Sequence, residues 1–246
     1  MSTLAIIPAR GGSKRIPRKN IRPFAGIPML ARTIAILQSA AIFDRIVVST
    51  DDDEIADIAG KAGAEVPFRR PPELSNDMAG TVPVIQHAIR TLADGAGPTA
   101  EHVCCVYPAA VLARPEDLRE SHGMLVASDA NFVFTAAAFG HPIQRALKRN
   151  ADGSCDMFWP QYRETRSQDL EPAYHDAGQF YWGLRDAWLE SRPIFTGNTR
   201  MLVLPSYRVQ DIDTPEDWDR AELIFKSLQQ GDAPASSPST ATQGQS

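Results

Sequence analysis

Two short stretches at opposite ends of the chain carry residue types that could do chemistry together. In QDIDTPED, Asp211 and Asp213 stand two residues apart. Alternate side chains of an extended chain share one side, so both carboxylates project together. Such a pair suits Mg²⁺, which keeps several waters and also takes phosphate oxygens. Either aspartate is also suited to capping the turn or helix that follows. In AIIPARGGSKRIPRKN, residues 5–20, an apolar run passes into a segment with two glycines, a serine and five Lys/Arg residues. Gly11 and Gly12 let backbone N–H groups approach a ligand without a Cβ in the way. Consecutive N–H groups in such a turn form an anion-binding concavity. Arg10, Lys14 and Lys19 add positive charge and Ser13 a hydroxyl. This is the composition of a polyphosphate cradle, although neither the P-loop spacing nor G-x-G-x-x-G is present.

Two further stretches supply polar groups. RRPPELSND, residues 69–77, follows the strand-like AEVPF. Its prolines stiffen it, so it can read a base through backbone hydrogen bonds or serve as an ordinary surface loop. ETRSQDLEPAYHDAGQFYW gathers Arg166, Gln168, His175, Asp176 and Gln179 beside an apolar run, a set suited to a polyhydroxylated or acidic ligand. Adjacent residues of a strand face opposite ways, which argues against a His175–Asp176 dyad.

The elements that must position these residues are legible as alternating periods. LAIIPA (4–9), RIVVST (45–50), HVCCVY (102–107) and NFVFTAAA (131–138) read as strands. A helix is expected from near Pro28, with Pro28 in its first turn and Leu30, Ile34 and Leu37 on one stripe. DEIADIAGKAG reads as a helix closed by a left-handed Gly63, and Thr81 to Asp94 as another. GQFYWGL and MLVLPS resume strand character. Thr214 caps a last helix with Pro215 at its first position. Strand–helix alternation predicts an α/β fold, a mostly parallel sheet flanked by helices on both faces. Ligands of such sheets bind at the carboxyl ends of strands, where the glycine stretch, Thr50-Asp51 and Tyr107-Pro108 all fall. Residues 140–172 break the alternation and read as a small irregular or antiparallel excursion with a turn at Asn150 to Gly153. Residues 1–230 are expected to form a single domain and 231–246 a disordered tail.

Composition bounds the partners. Twenty-five Lys/Arg against 30 Asp/Glu give a net charge of −5, with basic character concentrated in Arg10–Arg22. That excludes a bulk field for nucleic acid or membrane and favours a small anion. No apolar run approaches a membrane span and no leader precedes the first strand, so a soluble cytoplasmic protein is expected. Cys104, Cys105 and Cys155 lack metal-site spacing and read as buried free thiols. A non-catalytic nucleotide-binding regulator would keep the cradle but has no use for paired aspartates. A dinucleotide oxidoreductase finds an acidic residue in STDDD but lacks the glycine fingerprint.

IIPARGGSKRIPRKN, FDRIVVSTDDDEIA, RPPELSND and DIDTPED resemble the motifs of the CMP-sialate synthetase family of sugar-acid cytidylyltransferases, a likeness reaching to about residue 228. SKRIPRKN, CCVYP, GHPIQRAL and RSQDLEPAYHDAGQFYW resemble those members that activate pseudaminic acid; sialic and legionaminic acids are the alternatives. The resemblance implies a Rossmann-like nucleotidyltransferase fold and transfer of CMP from CTP to a nine-carbon sugar acid with loss of pyrophosphate. It implies that Arg10, Gly11, Gly12, Ser13, Lys14 and Lys19 hold the triphosphate and that Asn20 touches the ribose. Arg70 and the backbone of Leu74, Ser75, Asn76 and Asp77 would read cytosine, and Asp211 and Asp213 would hold Mg²⁺. Arg10, Lys19 and Asp213 would carry the catalytic step, and Arg166, Gln168, Asp176 and Gln179 the sugar side. YPAAVL departs from the family's Q-P-T-S-P, placing Tyr107 where a glutamine is usual beside the sugar. The resemblance also implies a homodimer in which the 140–172 segment is exchanged between subunits.

Overall fold

The computed structural model describes residues 1–95 and 100–231. The predicted tail lies outside these except for Gly231, which ends the last helix. Six strands form the central sheet: β1 (Thr3–Pro8), β2 (Arg45–Ser49), β3 (His102–Val106), β4 (Phe132–Ala138), β5 (Tyr174–Leu184) and β6 (Thr199–Leu204). Their order is β6-β4-β5-β3-β1-β2. All ladders are parallel except the two made by β5, which runs against β3 and β4. The amino end of β5 therefore meets the carboxyl ends of its neighbours, with Val106 opposite Phe180 and Ala138 opposite Tyr174.

Helices α1 (Met29–Ala40), α2 (Asp53–Lys61), α3 (Thr81–Asp94), α4 (Pro115–Val126), α5 (Arg185–Leu189) and α6 (Pro215–Gly231) complete the frame. Strands β1, β3 and β4 are apolar at successive positions because both faces are covered, whereas the edge strand β6 leaves Met201 and Val203 exposed. Ala5 and Ile7 of β1 pack with Leu30 and Ile34 of α1, Ile55 of α2 and Leu118 of α4. Leu4 and Ile6, one pleat away, pack with Ile85 and Ile89 of α3 and Trp188 of α5. A third cluster lies off the sheet, where Ile16, Phe24 and Met29 meet Ile212 and Trp218.

Local expectations hold at several ends and fail at others. Gly63 takes φ +86 just beyond α2, and Thr214 Oγ1 accepts from the Asp217 N–H at the start of α6. Pro28 is the residue before α1 rather than part of its first turn; it pairs with Pro23 in a two-residue hairpin. AEVPF does not become a strand. It touches the sheet edge through single bridges, Val47 to Glu65 and Thr50 to Arg69, because Pro67 between them has no N–H to continue a ladder. Residues 143–170 hold three single 3₁₀ turns and an antiparallel pair, Leu147–Arg149 with Cys155–Met157. Gly153, at φ +88, closes that hairpin. Cys104 and Cys105 are buried free thiols as expected, but Cys155 is exposed on the hairpin. No helix among the described residues is long and apolar enough to cross a membrane.

Candidate active site

β1 lies between β2 and β3, and the chain leaves its carboxyl end into the basic stretch. A cavity of about 630 Å³ opens there. The β1–α1 connection contributes Arg10, Ser13, Lys14, Lys19 and Asn20; the 69–77 loop contributes Arg70, Leu74, Asn76 and Asp77. Tyr107 follows β3, Gly178 lies on β5, and Asp211 and Asp213 arrive from the segment between β6 and α6. The two charged stretches, some 200 residues apart in sequence, thus share one cavity.

Packing explains why they meet. Ile16 is 1% exposed within SKRIPRKN, and Ile212 is fully buried between the two aspartates. Both enter the cluster that includes Trp218 of α6. Burying two apolar anchors in one place turns the charged neighbours of each toward the same opening. The loop is tied further by Asn20, whose Nδ2 donates to the Arg10 carbonyl at 2.9 Å, and by Arg18, which pairs with Asp52 and Glu54 at the start of α2.

The charges are arranged in two groups. Arg10 Nη1 lies 2.6 Å from Asp77 Oδ1 and Lys14 Nζ 2.5 Å from Asp77 Oδ2. Lys14 and then Arg10 hold the Asp77 carboxyl below the usual aspartate range. Lys19 Nζ donates to the Ile212 carbonyl at 2.7 Å and sits 3.4 Å from Asp213 Oδ1, while Arg15 Nη2 lies 2.9 Å from Asp213 Oδ2. Asp211 has no cation of its own in hydrogen-bond reach among the described residues. Partial burial of its carboxyl, and then the neighbouring Asp213, raise it above the ordinary aspartate range. A paired carboxylate site with one member lacking a protein cation has the donor chemistry of a Mg²⁺ site whose other ligands are phosphate oxygens and water.

Arg70 is 5% exposed. Its nearest acid, Asp51, is 3.7 Å away, and Nε and Nη2 have no hydrogen-bond acceptor among the described residues. Burial pulls its pKa down. Buried donors without acceptors at a cavity wall favour a ligand that brings acceptors of its own. Tyr107 is set differently. Its hydroxyl shares a 2.6 Å hydrogen bond with Thr81 Oγ1, and burial pushes its pKa up to about 12.

Other expected residues are placed elsewhere. Gly11 donates its N–H to Asp51 Oδ1 at 3.1 Å, and a Cβ there would come within 2.6 Å of Asp52 Oδ2, so this glycine answers to a close approach inside the protein. Gly12 is exposed with open space around it, and neither glycine nor Ser75 lines the cavity. Ser75 Oγ donates to the Pro71 carbonyl. Gln179 is buried and donates Nε2 to the Arg208 carbonyl, while Asp176 accepts from Tyr181 OH and the Gly178 N–H. Arg166 and Gln168 sit on the excursion, away from the cavity, with Arg166 paired to Asp169. Sequence reading passed over Arg15 and Thr81, which line the cavity. Arg15 was visible only as one more charge in the basic run, and Thr81 as a helix start.

Residues 4–150 match the family model described as cytidylyltransferase. The chain belongs to the cytidylyltransferase family. This cytidylyltransferase is 43% identical over 226 residues to the pseudaminic acid cytidylyltransferase of Campylobacter jejuni, covering 92% of this chain and 97% of that one. It is 31% identical over 239 residues to the CMP-N,N'-diacetyllegionaminic acid synthase of Legionella pneumophila, covering 94% and 99%. Among solved structures, CMP:2-keto-3-deoxy-manno-octonic acid synthetase complexed with CTP superposes with a TM-score of 0.67 at 17% identity, over 93% of this chain and 100% of that one. That likeness shows a shared α/β fold.

Proposed function

We propose that this cytidylyltransferase makes CMP-pseudaminic acid: CTP and pseudaminic acid give the CMP-sugar and pyrophosphate. The observation that carries the reading is the meeting of the Arg10–Lys19 cations with Asp211 and Asp213 across one cavity. The substrate follows from the Campylobacter jejuni relatives at 43% and 44% identity, against 31% for the legionaminic acid enzyme.

In this reading Lys14, Arg10 and Lys19 bind the triphosphate, exchanging Asp77 and the Ile212 carbonyl for phosphate oxygens. Arg70 offers its unpaired donors to the cytosine, with the 74–77 backbone beside it, and Asn20 lies toward the ribose. The anomeric hydroxyl of the sugar attacks the α-phosphorus in line. The bond from that phosphorus to the bridging oxygen breaks, so that pyrophosphate leaves with it, and the hydroxyl proton passes to water. Such a transfer depends on positioning and on neutralising charge as it grows on pyrophosphate, which Arg10 and Lys19 are placed to do. Asp211 and Asp213 would hold Mg²⁺, which when bound supplies further neutralisation of phosphoryl oxygens.

Residues 1–230 act as one cytidylyltransferase domain in this proposal, functioning in the cytoplasm as a homodimer. Exposed Leu147, Phe158 and Trp159 on the 140–172 excursion support a partner contact there. Arg166 and Gln168 would then serve the partner's cavity, and Tyr107 and Asp176 the sugar side of their own. The test is incubation with CTP, Mg²⁺ and separate pseudaminic, legionaminic and sialic acids, with pyrophosphate measured. Release with pseudaminic acid well above the others is expected; equal or greater release with another acid overturns the substrate, and none with any acid overturns the activity.

A further inference from the structure

Asp211 and Asp213 lie on no regular element, so something must fix the segment that carries them. On its far side, α6 does so: Asp217 accepts from the N–H groups of Asp213 and Thr214 and from Gln210 Nε2. On its near side the chain makes a single 3₁₀ turn, Ser206–Arg208, three residues before Asp211. Arg208 is 6% exposed there and forms a two-pronged ion pair with Asp117 of α4, Nη1 to Oδ2 at 2.6 Å and Nη2 to Oδ1 at 3.0 Å. The same carboxylate accepts from the Arg114 N–H at the start of α4, and the Arg208 carbonyl accepts from Gln179 Nε2 of β5.

Burial alone does not explain this arrangement, because an apolar pair of similar size generally stabilises a core as well or better. A fork-to-fork pair additionally fixes distance and orientation. Here it fixes the chain entering the aspartate segment against α4 and β5 at once. We propose that Arg208 and Asp117, with Gln179, are positioning residues for Asp211 and Asp213 and set how tightly that pair grips a divalent cation. The inference rests on the metal reading above.

The test uses the full chain with Arg208→Lys and Asp117→Asn, and Mn²⁺ as a spectroscopic probe. Four quantities are read: melting temperature, CTP binding in EDTA by calorimetry, Mn²⁺ binding to the CTP complex by electron paramagnetic resonance, and the Mn²⁺ requirement for pyrophosphate release. Loss of a group bonded directly to a metal ligand commonly weakens metal affinity by about 10- to 100-fold, and a pair acting through the chain belongs at the lower end, about 10-fold. The expected result is a shift of that size in Mn²⁺ affinity and Mn²⁺ requirement, with CTP binding in EDTA unchanged. Folded variants with wild-type Mn²⁺ affinity overturn the proposal, whatever their melting temperatures. Should neither variant fold, Gln179→Leu is judged by the same Mn²⁺ measurement. A wild-type complex that binds no Mn²⁺ removes the metal reading and this proposal together. Mn²⁺ binding without pyrophosphate release from any acid removes only the proposed activity, and the pair is still judged by binding.

Discussion

At the scale of single residues, the same side chains that would meet a triphosphate are already engaged with protein acceptors. Lys19 holds the Ile212 carbonyl and leans on Asp213; Arg10 and Lys14 share Asp77. These contacts keep long cationic side chains gathered at the cavity, at the modest cost typical of exposed pairs when they are exchanged for phosphate. In the proposed reaction Lys19→Ala would remove a donor to the phosphates, and losing one such donor commonly costs about 10²–10³ in rate. Both Lys19→Ala and Asp213→Asn should therefore fold and lose turnover on that scale, as seen in steady-state kinetics at saturating Mg²⁺. A folded variant of either kind with the wild-type rate would remove that residue from the catalytic assignment. Much of this set was legible as composition, because cations, hydroxyl and paired carboxylates have few other uses in these contexts. What each cation touches was not, since Lys19 and Ile212 are 193 residues apart and no local pattern links them.

At the scale of elements, the Arg10–Lys19 run after β1 behaves as a charged surface pinned by one large apolar residue, Ile16. Ile16 stands in a run of Lys and Arg and belongs to no helical or strand period, so the sequence gives no local sign that it is buried. Its burial beside Ile212 and Trp218 joins the loop to the aspartate segment. Ile16→Ala should cost about 2–5 kcal/mol in a urea melt, the usual range for such a core truncation. It should also raise the KM for CTP, while Ile16→Val stays near wild type in both. Lost stability with an unchanged KM would mean that another contact holds the loop. The elements themselves were largely readable: α3 spans the predicted Thr81–Asp94, and the first four strand runs fall within a residue of their predicted bounds. GQFYWGL and MLVLPS, by contrast, start four and two residues after the strands they belong to. AEVPF failed because strand-like composition says nothing about whether a ladder partner and an N–H are both available at the sheet edge.

At the scale of the whole molecule, stability at mildly acid pH is expected to depend on a pair of histidines remote from the cavity. His102, at the start of β3, and His122 of α4 share a 2.9 Å hydrogen bond between Nδ1 and Nε2, with the His122 ring against Trp182. Burial lowers both below the ordinary value near 6.5; the chain's amino terminus adds to this, Glu101 opposes it at His102, and His102 reinforces it at His122. Folded histidines with lowered pKa values bind protons less readily than unfolded ones, so stability is lost as pH falls through about 6.5 and levels off below the folded values. Melting temperature should drop between pH 7 and pH 5.5, and His122→Gln, which keeps a hydrogen-bonding group without the charge, should flatten that drop. An equal drop in the variant would place the acid sensitivity elsewhere.

The closure of the cavity by Asp211 and Asp213 bears on how the enzyme comes into being. A ribosome releases the basic loop first, and 193 residues separate Lys19 from Ile212 beside the carboxylates opposite it. Until those are made Arg15 and Lys19 lack Asp213, although Asp77 is already made for Arg10 and Lys14, and Asp52 and Glu54 for Arg18. Polypeptides truncated shortly before Gln210 should accordingly lack the aspartate pair altogether, however much of the central sheet they have assembled.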